Sequence, residues 1–192
     1  MNNKRRNLFY KNGFTLIELV VVFTVIAILS TIGTVSFVSY SRAQVLNQTT
    51  SDLVQALDTA KSLSASQLKS LNKNGKTWQC LDYQTLNGYG IQIDTSDTSH
   101  EYYFLYMKCA TINGATIRYP DANNVSDWQT NLPQNVTFDP TTNITDVFFP
   151  VLSGGIITTP TAGSSNADTI ALSSYGNIKT INLTNGYISI SP

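Results

Sequence analysis

A single carboxylate interrupts the most apolar stretch of the chain. Glu18 is the fifth residue of "FTLIELVVVFTVIAILSTIG", and the next charged residue after it is Arg42. If this stretch crosses a membrane as a helix, an unpaired carboxylate in it costs roughly 3 kcal/mol and indicates a functional group with a partner. Two roles remain open. Glu18 pairs with a cation from outside this helix, or it lies at headgroup level, where water and the helix N-terminus favour an anion.

Residues that usually carry chemistry are otherwise sparse. The only histidine, His100, closes the segment "DTSDTSH", and no GxSxG, HExxH, P-loop or CxxC pattern accompanies it. We therefore expect neither enzyme activity nor a cofactor. Asp94 and Asp97 in the same segment are weak calcium candidates, because two carboxylates without a spaced set of further ligands more often form Asx-turns.

The apolar stretch is long enough to cross a bilayer. Phe14 to Tyr40 is compatible with one helix, and these 27 residues extend about 40 Å, against roughly 30 Å of hydrocarbon. Four cations precede it: Lys4, Arg5, Arg6 and Lys11. The positive-inside rule then predicts a single-pass membrane protein with its N-terminus in the cytoplasm and everything after Arg42 outside.

A cleaved secretory signal also begins with basic residues. Its processing site follows the apolar run at small residues of the A-x-A kind, and "TIGTVSFVSYS" matches that pattern poorly. The sequence therefore favours a retained helix over a conventional signal peptide.

The helix is predicted to continue beyond the membrane segment. Small and apolar residues recur near one face of residues 42–74: Leu46, Leu53, Leu57, Ala60 and either Leu63 or Ser64. This face is predicted to pack against the chain's own globular part, in preference to forming a groove for a partner. Asn-Lys-Asn-Gly at 72–75 is typical of a helix end, so the helix is expected to stop near Asn74.

After Gly75 the pattern changes to short alternating or aromatic runs separated by turn signals such as Asn185-Gly186. The predicted strands are Tyr89–Asp94, Glu101–Cys109, Ala115–Tyr119, Asn135–Phe138, Asp146–Leu152, Gly155–Thr158, Thr169–Ser173, Asn177–Thr184 and Tyr187–Ile190. The predicted fold class is therefore α+β. A long N-terminal α-helix, membrane-spanning in its first half and amphipathic in its second, carries a C-terminal antiparallel β-rich head.

The only two cysteines, Cys80 and Cys109, lie in the part predicted to be outside the cytoplasm. An oxidising compartment permits a disulfide between them across 28 intervening residues. Two separately buried thiols are the alternative.

The charge distribution argues against general nucleic-acid binding. From Phe14 onward, 8 basic residues stand against 12 acidic ones, a net charge of −4, and no cluster of Lys or Arg follows Arg42. Binding to phosphate backbones depends on grouped cations.

The N-terminal residues carry a resemblance. "GFTLIELVVV" is similar to the signal of type IV pilins and type II secretion pseudopilins, in which a short basic leader ends in glycine (Gly13), an aromatic follows (Phe14), and a glutamate occupies the fifth mature position (Glu18). The resemblance implies that prepilin peptidase cuts between Gly13 and Phe14 and that the new Phe14 amine is N-methylated. It also implies that Glu18 pairs with the Phe14 amine of a neighbouring subunit.

The same resemblance implies a domain layout and a set of partners. Residues 1–13 would be the removed leader, 14–41 the transmembrane and assembly helix, 42–74 its amphipathic continuation, and 75–192 the extracytoplasmic pilin-type head. The implied partners are prepilin peptidase, sister pilins or pseudopilins, an inner-membrane assembly platform and an assembly ATPase.

The C-terminal half resembles a narrower group. "DVFFPVLSGGIIT" and "TIALSSYGNIKTINLTNGYISI" are similar to the head of the H-type (GspH-like) minor pseudopilins and the FimT-like minor pilins. The Asn-, Ser- and Thr-rich loops between Ile112 and Pro133 depart from a compact head of that kind.

Two functions are compatible with this sequence. The first is a structural subunit, extracted from the membrane and packed helix to helix into a type IV pilus or a type II secretion pseudopilus. The second is a membrane-anchored binding module, whose head recognises a surface, DNA or an exported substrate.

Overall fold

One long helix opens the chain and antiparallel strands follow it. The computed structural model describes residues 14–73, 76–96, 101–120, 128–160, 168–184 and 186–191. Helix α1 runs over Leu16–Ser66, 51 residues. Two compact units divide the chain, Met1–Ser41 and Arg42–Pro192. The predicted α+β class is confirmed.

The strands of the second unit are short except for the central pair. They are β1 (Ser70–Lys73), β2 (Lys76–Gln79), β3 (Gln84–Asp94), β4 (Tyr102–Thr111), β5 (Thr116–Tyr119), β6 (Gln129–Asn131), β7 (Thr137–Phe138), β8 (Ile144–Pro150), β9 (Ile157–Pro160), β10 (Thr169–Ser174), β11 (Asn177–Thr184) and β12 (Tyr187–Ser191).

These strands form three antiparallel sheets. The largest has the order β5-β4-β3-β8-β9, with β6 pairing beside β5 along β4. A four-stranded sheet has the order β12-β11-β10-β7, and β1 and β2 form a hairpin of their own. We call the six-stranded sheet the large sheet and the four-stranded sheet the small sheet.

Helix α1 ends earlier than the sequence pattern predicted. It stops at Ser66 because Gln67 adopts a left-handed backbone (φ 53°), and the Gln67 N–H bonds to the Ser64 carbonyl at 3.3 Å. A left-handed residue just past the last turn is a common helix stop. The predicted stop near Asn74 falls between β1 and β2, whose register pairs Lys73 with Lys76.

The helix contributes one apolar face to the core of the second unit. Leu46, Leu53, Leu57 and Ala60 are each at most 1% exposed, as their spacing predicted. At the next position along this face, Ser64 is buried and Leu63 is half-buried. The Ser64 hydroxyl donates to the Phe149 carbonyl of β8 at 2.7 Å, so the buried polar atom is satisfied.

Two polar contacts join α1 to opposite ends of the small sheet. The Arg42 guanidinium lies 3.8 Å from the ring centroid of Tyr175, in the β10–β11 turn. The Lys61 ammonium donates to the Gly186 carbonyl at 2.7 Å, in the β11–β12 turn. Strand β11 therefore extends alongside the helix from the position of Arg42 to that of Lys61.

The disulfide holds the β1–β2 hairpin against the large sheet. Cys80, which directly follows β2, is bonded to Cys109 of β4, with their Cα atoms 5.8 Å apart. Both cysteines are buried, Cys109 completely. The disulfide predicted as possible between Cys80 and Cys109 is therefore formed.

The face of the large sheet turned away from α1 is covered by its own long side chains. Tyr106 of β4 lies across Gly90 of β3, parallel to the ring of Phe148 on β8, and is fully buried. The Arg118 guanidinium lies 3.7 Å from the Tyr106 ring centroid. The Tyr106 hydroxyl donates to an Asp146 carboxylate oxygen at 2.6 Å, and burial raises the pKa of both groups.

Removal of the disulfide should destabilise the second unit. Replacing both cysteines (Cys80→Ala with Cys109→Ala) releases a 29-residue loop in the unfolded chain and should lower the free energy of unfolding by about 3–4 kcal/mol. Urea unfolding of the full chain in detergent, followed by tryptophan fluorescence, measures the change. Reduced wild type is the control without an altered side chain. Equal stability of reduced and oxidised wild type would contradict the prediction.

Gly90 should not tolerate a side chain. A Cβ there would lie 2.4 Å from Cζ of the packed Tyr106 ring, so Gly90→Ala should cost about 1–3 kcal/mol of stability. Gly155→Ala is the matched control, because its Cβ would meet nothing closer than 3.7 Å, and it should change stability by less than about 0.5 kcal/mol. Thermal unfolding of the two variants compares them, and equal melting temperatures would contradict the packing described.

Candidate functional site

The residues proposed for processing and assembly lie at the start of α1. Helical geometry begins at Leu16, so Phe14 and Thr15 precede the helix. The Phe14 side chain is 78% exposed. Gly13, the other residue of the predicted cleavage position, lies outside the described residues.

Thr15 caps this helix. The Glu18 N–H donates to the Thr15 side-chain oxygen at 3.3 Å, and the Leu19 N–H donates to the Thr15 carbonyl at 3.2 Å. Thr-x-x-Glu is the sequence of a capping box, in which the first and fourth residues satisfy N–H groups that have no partner within the helix. The pattern was readable in "TLIE" and was missed because Glu18 was considered only for its charge.

Glu18 is therefore suited to two tasks, stabilising the start of α1 and pairing with a cation of another molecule. Its carboxylate lies in the first turn of α1, where the helix dipole stabilises an anion. Its side chain is exposed, so it is accessible to a cation of another molecule. The sequence offers no cation within residues 19–41, which leaves an outside partner as the source of any pairing at that depth.

The apolar half of α1 has no cover from the chain itself. Every side chain from Phe14 to Thr31 is exposed, including the large ones of Leu16, Phe23 and Leu29. The core helix of a soluble protein would be buried over this length. Among the described residues, α1 is the one helix long and apolar enough to cross a membrane.

Hydroxyl groups in this half are satisfied within the helix. Thr24 and Thr31 donate to the carbonyls of Val21 and Ile28, each at 2.8 Å. Ser30 donates to the Ile26 carbonyl at 2.7 Å. Internal bonding of this kind lets small polar side chains enter a hydrocarbon layer without an unsatisfied group.

One of the two calcium candidates, Asp94, forms hydrogen bonds within the chain. The two Asp94 carboxylate oxygens accept hydrogen bonds, one from the Ser96 N–H at 2.8 Å and the other from the Tyr102 hydroxyl at 2.9 Å. The first of these is the Asx-turn that sequence analysis gave as the alternative. Asp97 and His100 lie outside the described residues. Within the parts of the chain that the structure describes, no group of three His, Cys, Asp or Glu side chains is placed to hold a metal ion.

Comparison with known proteins identifies the N-terminal segment. Residues 8–34 match the prokaryotic N-terminal methylation motif, and this range includes Gly13, Phe14 and Glu18. No curated protein and no solved structure matches the chain. The motif points to a structural subunit rather than an enzyme, and it implies processing by prepilin peptidase and assembly with other pilins.

The apolar helix suits a membrane-anchored protein of this kind. The chain thus carries the N-terminal methylation motif on an exposed apolar helix, and this supports its place in the type IV pilin and pseudopilin family.

Proposed function

We propose that the protein is a minor pilin or pseudopilin subunit, assembled through α1 into a type IV pilus or a type II secretion pseudopilus. One observation carries the proposal: the methylation motif at residues 8–34 coincides with a helix start whose apolar side chains are all exposed from Phe14 to Thr31. The resemblance of its C-terminal sequence makes an H-type (GspH-like or FimT-like) subunit the proposed subgroup.

Processing is proposed between Gly13 and Phe14, followed by N-methylation of the Phe14 amine. Cleavage changes the charges at the start of the helix. Cleavage creates a cation four residues before Glu18, and residues 1–13, which carry Lys4 and the other leader cations, leave the protein.

Assembly is proposed to depend on pairing between Glu18 of one subunit and the Phe14 amine of its neighbour. Each charge is costly alone among apolar helices, whereas the two together satisfy one another. The pair would set the register of one helix against the next, because a shift of one residue moves the carboxylate about 1.5 Å away from the amine.

Before assembly, the protein is proposed to reside in the inner membrane. The cations of residues 4–11 would keep the N-terminus in the cytoplasm, and Arg42 would mark the start of the extracytoplasmic part. An assembly platform and an assembly ATPase are the proposed machinery for extraction. Residues 1–13 are the proposed leader and 14–41 the proposed membrane helix. The proposed continuation begins at Arg42 and ends with α1 at Ser66, and the head region follows it.

Cleavage at the proposed position can be tested directly. When the chain is co-expressed with a prepilin peptidase, the product should begin at N-methylated Phe14, and Gly13→Ala should remain uncut. Intact mass and N-terminal sequencing measure both. A mature N-terminus between Ser36 and Ala43, or an uncut wild type, would exclude pilin-type processing.

The two tasks of Glu18 can be separated by a pair of variants. Glu18→Gln keeps a residue that suits the capping box but removes the charge, so it should leave helix content unchanged and reduce incorporation into fibres at least about tenfold, the effect of losing more than 1.4 kcal/mol of pairing. Thr15→Ala removes the cap at a cost of about 1 kcal/mol and keeps the charge, so its incorporation should stay near wild type.

Fibre incorporation is measured by quantitative blotting of sheared fibres, and helix content by circular dichroism in detergent. Normal incorporation of Glu18→Gln, together with a defect in Thr15→Ala, would assign Glu18 to capping and remove it from assembly.

A further inference from the structure

We propose that Arg42 and the β10–β11 turn form a lipid contact that rests the head on the outer surface of the bilayer while the subunit is stored there. The occupant is a phospholipid headgroup, with its phosphate at Arg42 and its glycerol region around the ring of Tyr175. The inference rests on the proposed membrane-stored state and adds to it a surface that the methylation motif does not specify.

Helix length places Arg42 at headgroup level. Arg42 lies 26 residues after Leu16, the first residue of α1, which is about 39 Å of helix, and a bilayer with both headgroup layers measures about 40–45 Å. If the charged Phe14 amine lies at one surface, the first cation beyond the span therefore reaches the opposite surface. An arginine at this position is suited to a lipid phosphate.

Tyr175 lies at the same depth because it contacts Arg42. The guanidinium is 3.8 Å from its ring centroid, yet the tyrosine keeps 55% of its surface exposed. Its left-handed backbone (φ 49°) and the adjoining Gly176 form the tip of the turn. Exposed tyrosine is typical of the membrane–water interface, where the ring meets the acyl boundary and the hydroxyl stays hydrated.

The surroundings of the turn are suited to a lipid surface. Ile178, the second residue after the turn, is 45% exposed, and residues 169–192 contain one charged residue, Lys179. On the helix side, no carboxylate occurs between Glu18 and Asp52. From these two segments, therefore, no acidic side chain would repel a phosphate group at Arg42.

The small sheet itself provides a matched control at the other end of β11. Tyr187 is 76% exposed beside Gly186, which is bonded to Lys61. Lys61 is 19 residues beyond Arg42, about 28 Å further along the helix. The same tyrosine-to-tryptophan change at Tyr187 thus reports from a point well clear of the bilayer.

The test uses the full, processed chain in vesicles of phosphatidylglycerol and phosphatidylcholine brominated near the headgroup. Bromine quenches tryptophan fluorescence only on close approach, and wild type gives the background from Trp78 and Trp128. After subtraction, Tyr175→Trp should lose about half its emission or more, because interfacial aromatic rings lie at this depth. Tyr187→Trp should be unchanged.

The same sample separates this proposal from the proposed function. Flotation with the vesicles and the mass of the processed chain report on membrane storage. A chain that is cut and floats, but in which Tyr175→Trp is not quenched or both variants are quenched equally, would overturn the lipid contact alone. A chain that does not float would overturn both.

A further variant tests the role of the Arg42 guanidinium. Arg42→Gln, placed in the Tyr175→Trp background, should reduce the quenching, since the phosphate partner is lost. Unchanged quenching would remove Arg42 from the contact.

Discussion

One unbroken helix has to satisfy two different environments, and the rest of the structure follows from this constraint. From Phe14 to Thr31 the side chains of α1 are exposed on all sides, which suits lipid or the helices of neighbouring subunits. From Leu46 to Ser64 one face is buried by the chain's own strands. The head must therefore supply an apolar surface long enough to cover more than four turns of helix, and the small sheet extends along this length from Arg42 to Lys61.

The start of the helix meets two requirements within four residues, Thr15–Glu18. A helix that begins in an apolar setting has backbone N–H groups without partners, and Thr15 satisfies one of them. Glu18 is placed where the same end of the helix favours an anion. Local helix geometry thus positions the carboxylate before any neighbour is present, so that the proposed pairing with a second subunit would require little rearrangement.

Periodic features of this fold could be predicted from the sequence. The face formed by Leu46, Leu53, Leu57 and Ala60 was evident because apolar residues at helical spacing lie on one side of a helix, the side that is buried. The final hairpin was evident from the Asn-Gly pair between two apolar runs, and β11 and β12 lie where they were predicted. The β1–β2 hairpin was missed because the earlier Asn-Gly pair has two meanings. It is as typical of a helix end as of a two-residue turn, and the left-handed backbone of Gln67 ended the helix first.

Features that depend on non-local contacts could not be predicted. An antiparallel strand with one face on the core commonly exposes the other, whereas in β4 Tyr103 on one face and Phe104 and Tyr106 on the other are all buried. The Arg118 side chain lies over the rings of Phe104 and Tyr106. Arg118 is on β5, two strands away from Gly90 on β3, and no local sequence pattern predicts this contact. Strand β6 was hidden for a related reason, since three polar residues become a strand only because β4 offers them an edge. At the N-terminus the candidate site was predicted in outline, but the role of Thr15 was not.

The two contacts between α1 and the small sheet have a mechanical consequence. Arg42 and Lys61 meet the two ends of β11, so a pull along the helix reaches this sheet in the direction of its strands. In that geometry the hydrogen bonds between β10, β11 and β12 share the load. The strands would separate only by sliding past one another. A pull across the strands would instead open the bonds one at a time. In the proposed filament, tension along α1 would therefore load the small sheet in shear.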